Sequence, residues 1–369
     1  MEISVKNNIF HTQDLCFAQT CDALESSAEM EIYMKVVIAI DSFKGSMTSM
    51  EAGNAVKKGI LAAKPDAEVV VNPLADGGEG TVDALIEGLG AEKIPVTVAG
   101  PLGEKVSCYY GFLEETKTAV MEMASAAGIT LVTKKDPLRA STYGVGEMIA
   151  DALKRGCKNF MIGIGGSATN DGGIGMLKAL GFEFFDEDGN DVGEGAAALA
   201  KIEVIRTENK NPLLSGAKFQ IACDVKNPLC GKQGATYIFG SQKGVTEEQK
   251  DQIDEAMRHY ADVTKESLGC DFADCEGAGA AGGLGYAFLS YLAGELIPGV
   301  ELILHATGLE EKMKNADVVV TGEGRLDAQT VMGKAPVGVA ALAKKYNAKV
   351  IAFAGSVAPE AKVCNRAGI

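Results

Sequence analysis

The residues of this chain that could carry out chemistry are acids, hydroxyls and amides that stand among glycines. The densest such stretch, Gly163–Gly175, follows an apolar run and precedes another. Its polar side chains are Ser167, Thr169, Asn170 and Asp171. Glycines such as Gly165 and Gly166 let backbone N–H groups approach an anion, and a helix N-terminus behind them adds partial positive charge. The stretch therefore predicts a phosphate-binding loop between a strand and a helix.

Other acids stand at the ends of predicted strands. They are Asp41, Asp76, Asp224 and Glu323. Mg²⁺ prefers oxygen ligands and takes only one or two carboxylates beside substrate phosphates, so most of these acids must have another role. A single acid of this kind is usually a turn or cap residue. Basic and hydroxyl groups accompany them. The position of Lys44 beside glycines favours a role in neutralising phosphate, whereas Lys243 and Lys334 could each be either a solvated surface charge or a functional cation.

The sequence lacks the motifs that several classes of enzyme need for catalysis. The chain contains neither a P-loop nor the protein-kinase signature set, and its three histidines have no motif context, so acid–base chemistry must use a carboxylate. Two stretches match the dinucleotide fingerprint, at 163–168 and 277–282. Asp171 would repel a pyrophosphate in the first unless a cation intervened, and no strand precedes the second. Binding of NAD(P) therefore stays an alternative.

Charge and composition narrow the partners. The net charge of −15 and the lack of Trp argue against nucleic acid or an anionic membrane as a binding partner, because proteins bind such anionic partners mainly through Lys and Arg. Nine cysteines without a zinc spacing indicate a reducing compartment, so we expect a cytoplasmic protein. No apolar run approaches the length of a membrane span.

The elements that must position these residues alternate between strands and helices. Strands at 34–40 and 68–71, each followed by a polar loop and a helix, predict a parallel sheet covered by helices, and Thr48 with Glu51 forms a capping box. Ligands bind at the carboxyl ends of such strands. The shorter, alternating strands after residue 93 predict a mixed second lobe, and the late strands at 317–320 and 349–353 return to the first pattern.

We therefore expect an α/β protein of two lobes, a Rossmann- or flavodoxin-like parallel-sheet domain with a mixed α/β domain inserted into it. The predicted boundaries are 34–96 with 286–369 for the first domain and 97–285 for the insertion. Residues 1–33 lack periodicity and predict a disordered extension or a misassigned start. The first domain also predicts further elements beyond Ile369, so its C-terminus looks shortened.

Seven stretches together resemble the bacterial glycerate kinase family, the type unrelated to P-loop kinases. They occur in the family's order: Asp41–Ser46, Pro73–Thr81, Gly165–Gly173, Asp224–Leu229, Phe239–Gly244, Gly277–Gly283 and Thr321–Asp327. The resemblance implies ATP- and Mg²⁺-dependent phosphorylation of D-glycerate in a cleft between two lobes, by a monomer or homodimer. Whether the product is 2- or 3-phosphoglycerate stays open.

The positions matched by the resemblance suggest roles, which we state as hypotheses. The loop amides and Lys44 would hold the transferring phosphate, Arg325 the glycerate carboxylate, and Asp41 would orient or deprotonate the hydroxyl. Mg²⁺ would bind one or two of Asp171, Asp224 and Glu323, and Asp171 is also a catalytic candidate. Further substrate- or phosphate-binding positions are Ser46, Asp76 and Gly282. An NAD(P)-dependent oxidoreductase and a non-catalytic sugar-acid-binding protein remain the alternatives.

Overall fold

The computed structural model describes residues 34–43, 45–75, 81–328, 330–332 and 334–369. The predictions for residues 1–33, Lys44 and Asp76 lie outside these residues. The strands are β1 (Lys35–Ile40), β2 (Glu68–Val71), β3 (Glu92–Ala99), β4 (Lys105–Leu113), β5 (Thr118–Glu122), β6 (Asn159–Gly163), β7 (Glu183–Phe185), β8 (Val204–Arg206), β9 (Lys218–Ala222), β10 (Glu295–Ile297), β11 (Val318–Leu326) and β12 (Lys349–Val357).

The helices range from a single turn to the 22 residues of the longest. They are α1 (Ser49–Ala63), α2 (Thr81–Leu89), α3 (Ala124–Ala127), α4 (Tyr143–Lys154), α5 (Ile174–Ala179), α6 (Ala196–Leu199), α7 (Ala235–Phe239), α8 (Glu247–Leu268), α9 (Leu284–Leu292), α10 (Gly299–Ala306), α11 (Leu309–Met313) and α12 (Ala335–Lys345). None of them, within the described residues, combines the length and the apolar character that a membrane crossing needs.

The first compact unit comprises the described residues up to Asn72 together with 309–369. Its four strands run parallel in the order β12-β11-β1-β2. β1 is nearly fully buried because Val36, Ile38 and Ile40 pack beneath α1, as expected for a strand covered on both faces. Thr48 and Glu51 form the predicted capping box at the start of α1. The predicted parallel sheet is therefore confirmed.

The second unit, residues 73–308, contains a six-stranded mixed sheet in the order β10-β9-β6-β5-β4-β3. β3, β4 and β5 pair antiparallel, whereas β5, β6, β9 and β10 run parallel. Its core includes a stacked pair, Phe160 on β6 and Phe219 on β9, with ring centroids 4.7 Å apart. The mixed α/β character predicted for this region is confirmed.

Two details differ from the sequence predictions. Residues 73–96 and 286–308 belong to the second unit, because β3 pairs along its whole length with β4, and β10 pairs with β9. The strand predicted at 317–320 is longer than expected: β11 continues through Leu326, which pairs with Val357. Its glycines hid this pairing, since glycine is depleted in strands and usually marks a loop.

Candidate active site

The second unit contains a cavity of about 500 Å³ at the carboxyl ends of the parallel strands β6 and β9. The loop after β6 contributes Gly165, Gly166 and Ser167, and the loop after β9 contributes Asp224. Lys243, which follows α7, completes this part of the wall. Predicted phosphate-loop residues and a predicted metal ligand are thus brought together at the sheet edge where α/β proteins bind ligands.

The loop after β6 presents three successive amides without a partner. Gly165, Gly166 and Ser167 donate no backbone hydrogen bond to any described residue, whereas Ile129 donates to the carbonyl oxygen of Gly166 at 2.8 Å and holds the loop. Gly166 has φ +73°, a conformation that favours glycine. Consecutive free N–H groups of this kind form a concave anion-binding nest.

Asp171 lies behind the cavity and is fully buried. Its carboxylate accepts four hydrogen bonds: from the backbone N–H and the hydroxyl of Thr142, both at 2.8 Å, from Gly173 N–H at 3.1 Å and from Gly175 N–H at 3.3 Å. Burial raises the pKa of this carboxyl, and the four donors oppose that rise. Oδ2 accepts three of these bonds and Oδ1 accepts one, and the carboxylate is fully buried, which fits an internal acceptor better than the predicted base or metal ligand.

Asp171 also occupies the helix terminus that the sequence assigned to phosphate. The N–H groups of Gly173 and Gly175 begin α5, and the next one, of Met176, donates to the Thr142 hydroxyl at 2.9 Å. The first amides of α5 are therefore bound internally. In this structure the free amides of 165–167 precede α5 by several residues, whereas the glycine loop of a dinucleotide fingerprint leads directly into its helix.

Three other predicted residues lie buried behind the loop rather than on the cavity wall. Asn170 donates from Nδ2 to the Thr236 hydroxyl at 3.0 Å, while its Oδ1 and the hydroxyl of Thr169 have no partner within the described part of the chain. Gly282 has φ +71°, and a Cβ there would lie 2.1 Å from the carbonyl oxygen of Thr169. Gly282 thus allows two glycine-rich segments to pack backbone to backbone.

Lys243 is a buried lysine that lines the cavity, with 2% of its surface exposed. Its Nζ donates to the carbonyl oxygen of Thr169 at 2.7 Å. Burial lowers the pKa of Lys243 to about 7, and the charge of Asp171 acts in the opposite direction. The sequence left this lysine undecided because nothing in its local pattern indicates burial.

Asp224 is the predicted metal ligand that reaches the cavity. It is exposed, and its Oδ1 accepts from Gly299 N–H at 2.9 Å. No group of three or more His, Cys, Asp or Glu side chains with metal-binding geometry exists among the described residues. An all-protein metal cage is therefore absent from them, whereas a Mg²⁺ held by one carboxylate and by phosphate oxygens needs only a residue such as Asp224.

The first unit places two predicted acids at the carboxyl edge of its own sheet. Asp41 follows β1 and donates from its N–H to Gly322 on β11 at 2.9 Å, so it lies beside Glu323. Glu323 is 7% exposed and accepts from Thr330 Oγ1 at 2.6 Å and Lys334 Nζ at 3.1 Å. These bonds explain how a carboxylate can be buried here.

The remaining first-unit candidates are exposed. Arg325 on β11 lies 3.5 Å from Asp327, and Ser46 lies in the turn before α1, where its N–H donates to Phe43. Both side chains are therefore accessible for a ligand. Sequence reasoning missed Thr142 and Thr330, whose hydroxyls donate to Asp171 and Glu323, because neither threonine belongs to a glycine-rich motif.

The chain is similar over most of its length to known proteins of one kind. A family model described as "Glycerate kinase family" matches residues 36–369. A glycerate kinase of Bacillus subtilis (strain 168) is 45% identical over 91% of this chain and 88% of its own length. A glycerate 2-kinase of Escherichia coli (strain K12) is 46% identical over 91% of this chain and 89% of its own length.

A solved structure agrees with these sequence relatives. The crystal structure of a candidate glycerate kinase 2 from Salmonella typhimurium LT2 superposes with a TM-score of 0.84 at 43% identity. The match covers 88% of this chain and 90% of that one.

Proposed function

The chain belongs to the glycerate kinase family, and we propose from that premise that it transfers the terminal phosphoryl group of ATP to a hydroxyl of D-glycerate. The products are ADP and phosphoglycerate. The observation that supports this most directly is the row of free amides at 165–167 on the wall of the cavity in the second unit. It offers phosphate oxygens a binding surface in a chain whose net charge is −15.

We assign the nucleotide to this cavity. Its volume of about 500 Å³ lies within the range of small-molecule and cofactor sites. The amides of Gly165, Gly166 and Ser167 would donate to phosphate oxygens, and such preorganised donors stabilise the charge that is redistributed during phosphoryl transfer. Apolar wall residues such as Ile129 and Phe239 would contact the less polar parts of the nucleotide.

Mg²⁺ would be held by Asp224 together with the nucleotide. Asp224 is an exposed carboxylate on the cavity wall, and its Oδ1 accepts from Gly299 N–H. When bound, the ion supplies neutralisation of phosphate charge. Asp171 and Glu323, the other predicted ligands, are buried and already accept hydrogen bonds from the protein, so we retain Asp224 alone for this role.

For glycerate we retain Asp41, Lys44 and Arg325 as hypotheses. Arg325 is exposed and paired only loosely with Asp327, so its guanidinium could bind a carboxylate through two parallel hydrogen bonds. Asp41 would orient the acceptor hydroxyl and accept its proton. The name of the Escherichia coli relative, glycerate 2-kinase, favours the 2-hydroxyl as the acceptor.

A coupled ADP-release assay with ATP, Mg²⁺ and D-glycerate tests the proposal. We expect turnover that requires both substrates and stops when EDTA removes the metal. Phosphorus NMR of the product should show 2-phosphoglycerate, and a signal of 3-phosphoglycerate would overturn the choice of hydroxyl. Binding of glycerate without any ADP release would instead indicate a non-catalytic sugar-acid-binding protein. Fluorescence titration with NADH, for which we expect no binding, tests the oxidoreductase alternative.

A further inference from the structure

The buried ammonium group of Lys243 has hydrogen-bonding capacity that the protein does not use. A lysine ammonium carries three N–H donors, and Lys243 donates only to the carbonyl oxygen of Thr169, at 2.7 Å. No described residue accepts a second bond from Nζ or offers a carboxylate within ion-pairing distance. The side chain nevertheless lines the 500 Å³ cavity. Two donors are therefore left for whatever occupies that cavity.

Burying a charged group without an ionic partner is costly, so such groups are normally paired or shift towards their neutral form. Lys243 shifts towards its neutral form, because burial lowers its pKa to about 7. The same wall carries the free amides of Gly165, Gly166 and Ser167, which also seek an acceptor. Two independent kinds of donor, one backbone and one side chain, thus line one cavity.

We propose that Lys243 is a substrate-contacting residue of this reaction, and that its ammonium group donates to an anionic oxygen bound in the cavity. The anion is a phosphate of the nucleotide or the carboxylate of glycerate, which share the chemistry that Lys243 can recognise. The proposal rests on the proposed kinase function. It assigns a role to a residue that sequence reasoning left open between surface and function.

The titratable groups around Lys243 determine what binding does to its proton. The charge of Asp171 favours the charged form of Lys243, and the titratable groups that share the cavity wall with Lys243 are Asp224, Lys135 and Cys223. Burial raises the pKa of Cys223, so that thiol stays neutral near pH 7. An anionic oxygen beside Nζ adds negative charge and raises the pKa of Lys243. Binding near pH 8 must therefore take up a proton.

Isothermal titration calorimetry of the unmodified protein measures this uptake. At pH 8, a lysine with a pKa of about 7 is roughly nine-tenths neutral. We therefore expect close to one proton to be taken up, seen as different binding enthalpies in Tris and HEPES buffers. Titrations with MgADP and with D-glycerate separately identify which anion contacts Lys243. Lack of uptake with both ligands, although each binds, would overturn the proposal.

Lys243→Met is the decisive variant, because methionine keeps the unbranched shape and most of the length of the side chain and removes its charge. At pH 6.5 we expect its dissociation constant for the linked ligand to rise by about 10-fold or more. In the unmodified protein the dissociation constant should itself rise by as much as about 25-fold between pH 6.5 and 8.5, because only the charged fraction binds. In Lys243→Met that lysine-linked rise should disappear.

Lys201→Met is the matched control, since Lys201 is an exposed lysine of the same unit that does not line the cavity. It should keep both the affinity and the proton uptake of the unmodified chain. The role of Lys243 would be refuted if Lys243→Met bound the ligand within two-fold of the parent and took up as many protons. The kinase function is tested separately, by ADP release from the parent. If Lys243→Met does not fold, as judged by circular dichroism, the uptake measured on the unmodified protein decides.

Discussion

The role of Asp171 can be tested by replacing its carboxylate with an amide. In Asp171→Asn the new NH₂ group must face either Gly173 N–H or the three donors that now share Oδ2, namely Gly175 N–H and both donors of Thr142. The first orientation costs less, because only one accepted bond becomes a contact between two donors. We therefore take it as the basis for the expected effect.

The magnitude follows from those four bonds. One buried N–H left without an acceptor costs about 1–3 kcal/mol, and the three surviving bonds weaken because they lose the charge of the acceptor. Relief of the burial penalty that raises the pKa of Asp171 offsets part of this loss. We expect the free energy of unfolding to fall by about 2–4 kcal/mol, a large change for a single substitution.

Urea unfolding followed by circular dichroism measures this change, and Asp191→Asn is the matched control. Asp191 pairs with Lys178 at 2.6 Å, but its side chain is 55% exposed, so its replacement should cost about 1 kcal/mol or less. In folded Asp171→Asn the ratio kcat/KM should fall, mainly because displacement of the loop raises the KM for the nucleotide. A variant as stable as Asp191→Asn whose kcat nevertheless fell 100-fold would refute the positioning role and restore Asp171 as a catalytic residue.

Three further predictions concern its neighbours. Thr142→Val removes the hydroxyl that joins Asp171 to Met176 and should lower the free energy of unfolding by about 2 kcal/mol, whereas Thr142→Ser should restore most of it in the same urea experiment. Gly282→Ala should lower the melting temperature clearly more than Gly269→Ala. Both glycines have positive φ, but only at Gly282 would the added Cβ clash with backbone, 2.1 Å from the carbonyl oxygen of Thr169. Equal shifts of the melting temperature would contradict this. Lys243→Met should have a higher free energy of unfolding than the parent, and the difference should be largest at about pH 7 and below, where folding of the parent buries a charged lysine. Above pH 7 the difference should shrink by about 1.4 kcal/mol per pH unit, because the lysine of the parent is then neutral when folded but still protonated when unfolded. A difference that does not change between pH 7 and 9 would contradict this.

Local patterns were enough to predict most elements of the fold. The run at 68–71 is a strand with the predicted bounds, and the capping box of Thr48 and Glu51 begins α1 as expected, because each depends on residues close together in sequence. β10, α10 and α11 were missed, because stretches of 3, 8 and 5 residues do not fill the window over which a periodicity can be counted. The extension of β11 through Leu326 was missed because pairing with β12 overrides the low strand propensity of its glycines.

The candidate site was predictable in its location but not in the division of its roles. The glycine-dense spacing predicted a phosphate-binding loop that includes Gly165, Gly166 and Ser167, and the structure places these residues on the wall of a cavity. The spacing is a local signal, since Gly166 has the positive φ that favours glycine. The surroundings of Asp171 depend on Thr142, which lies 29 residues earlier, and those of Lys243 depend on Thr169, 74 residues earlier. Burial and partners at such distances come from tertiary packing, and a single sequence carries no local signal of them.

The stretch 163–175 also explains how a strongly acidic chain can offer a site to an anion. A carboxylate beside a phosphate loop should repel phosphate, and the sequence alone left that conflict unresolved. In the structure the charge of Asp171 is balanced by four donors, two of them at the start of α5, and its field favours the charged form of Lys243. The acid therefore acts as a buried acceptor that binds Thr142 and the start of α5, and its charge helps keep the ammonium group of Lys243 available to an anion.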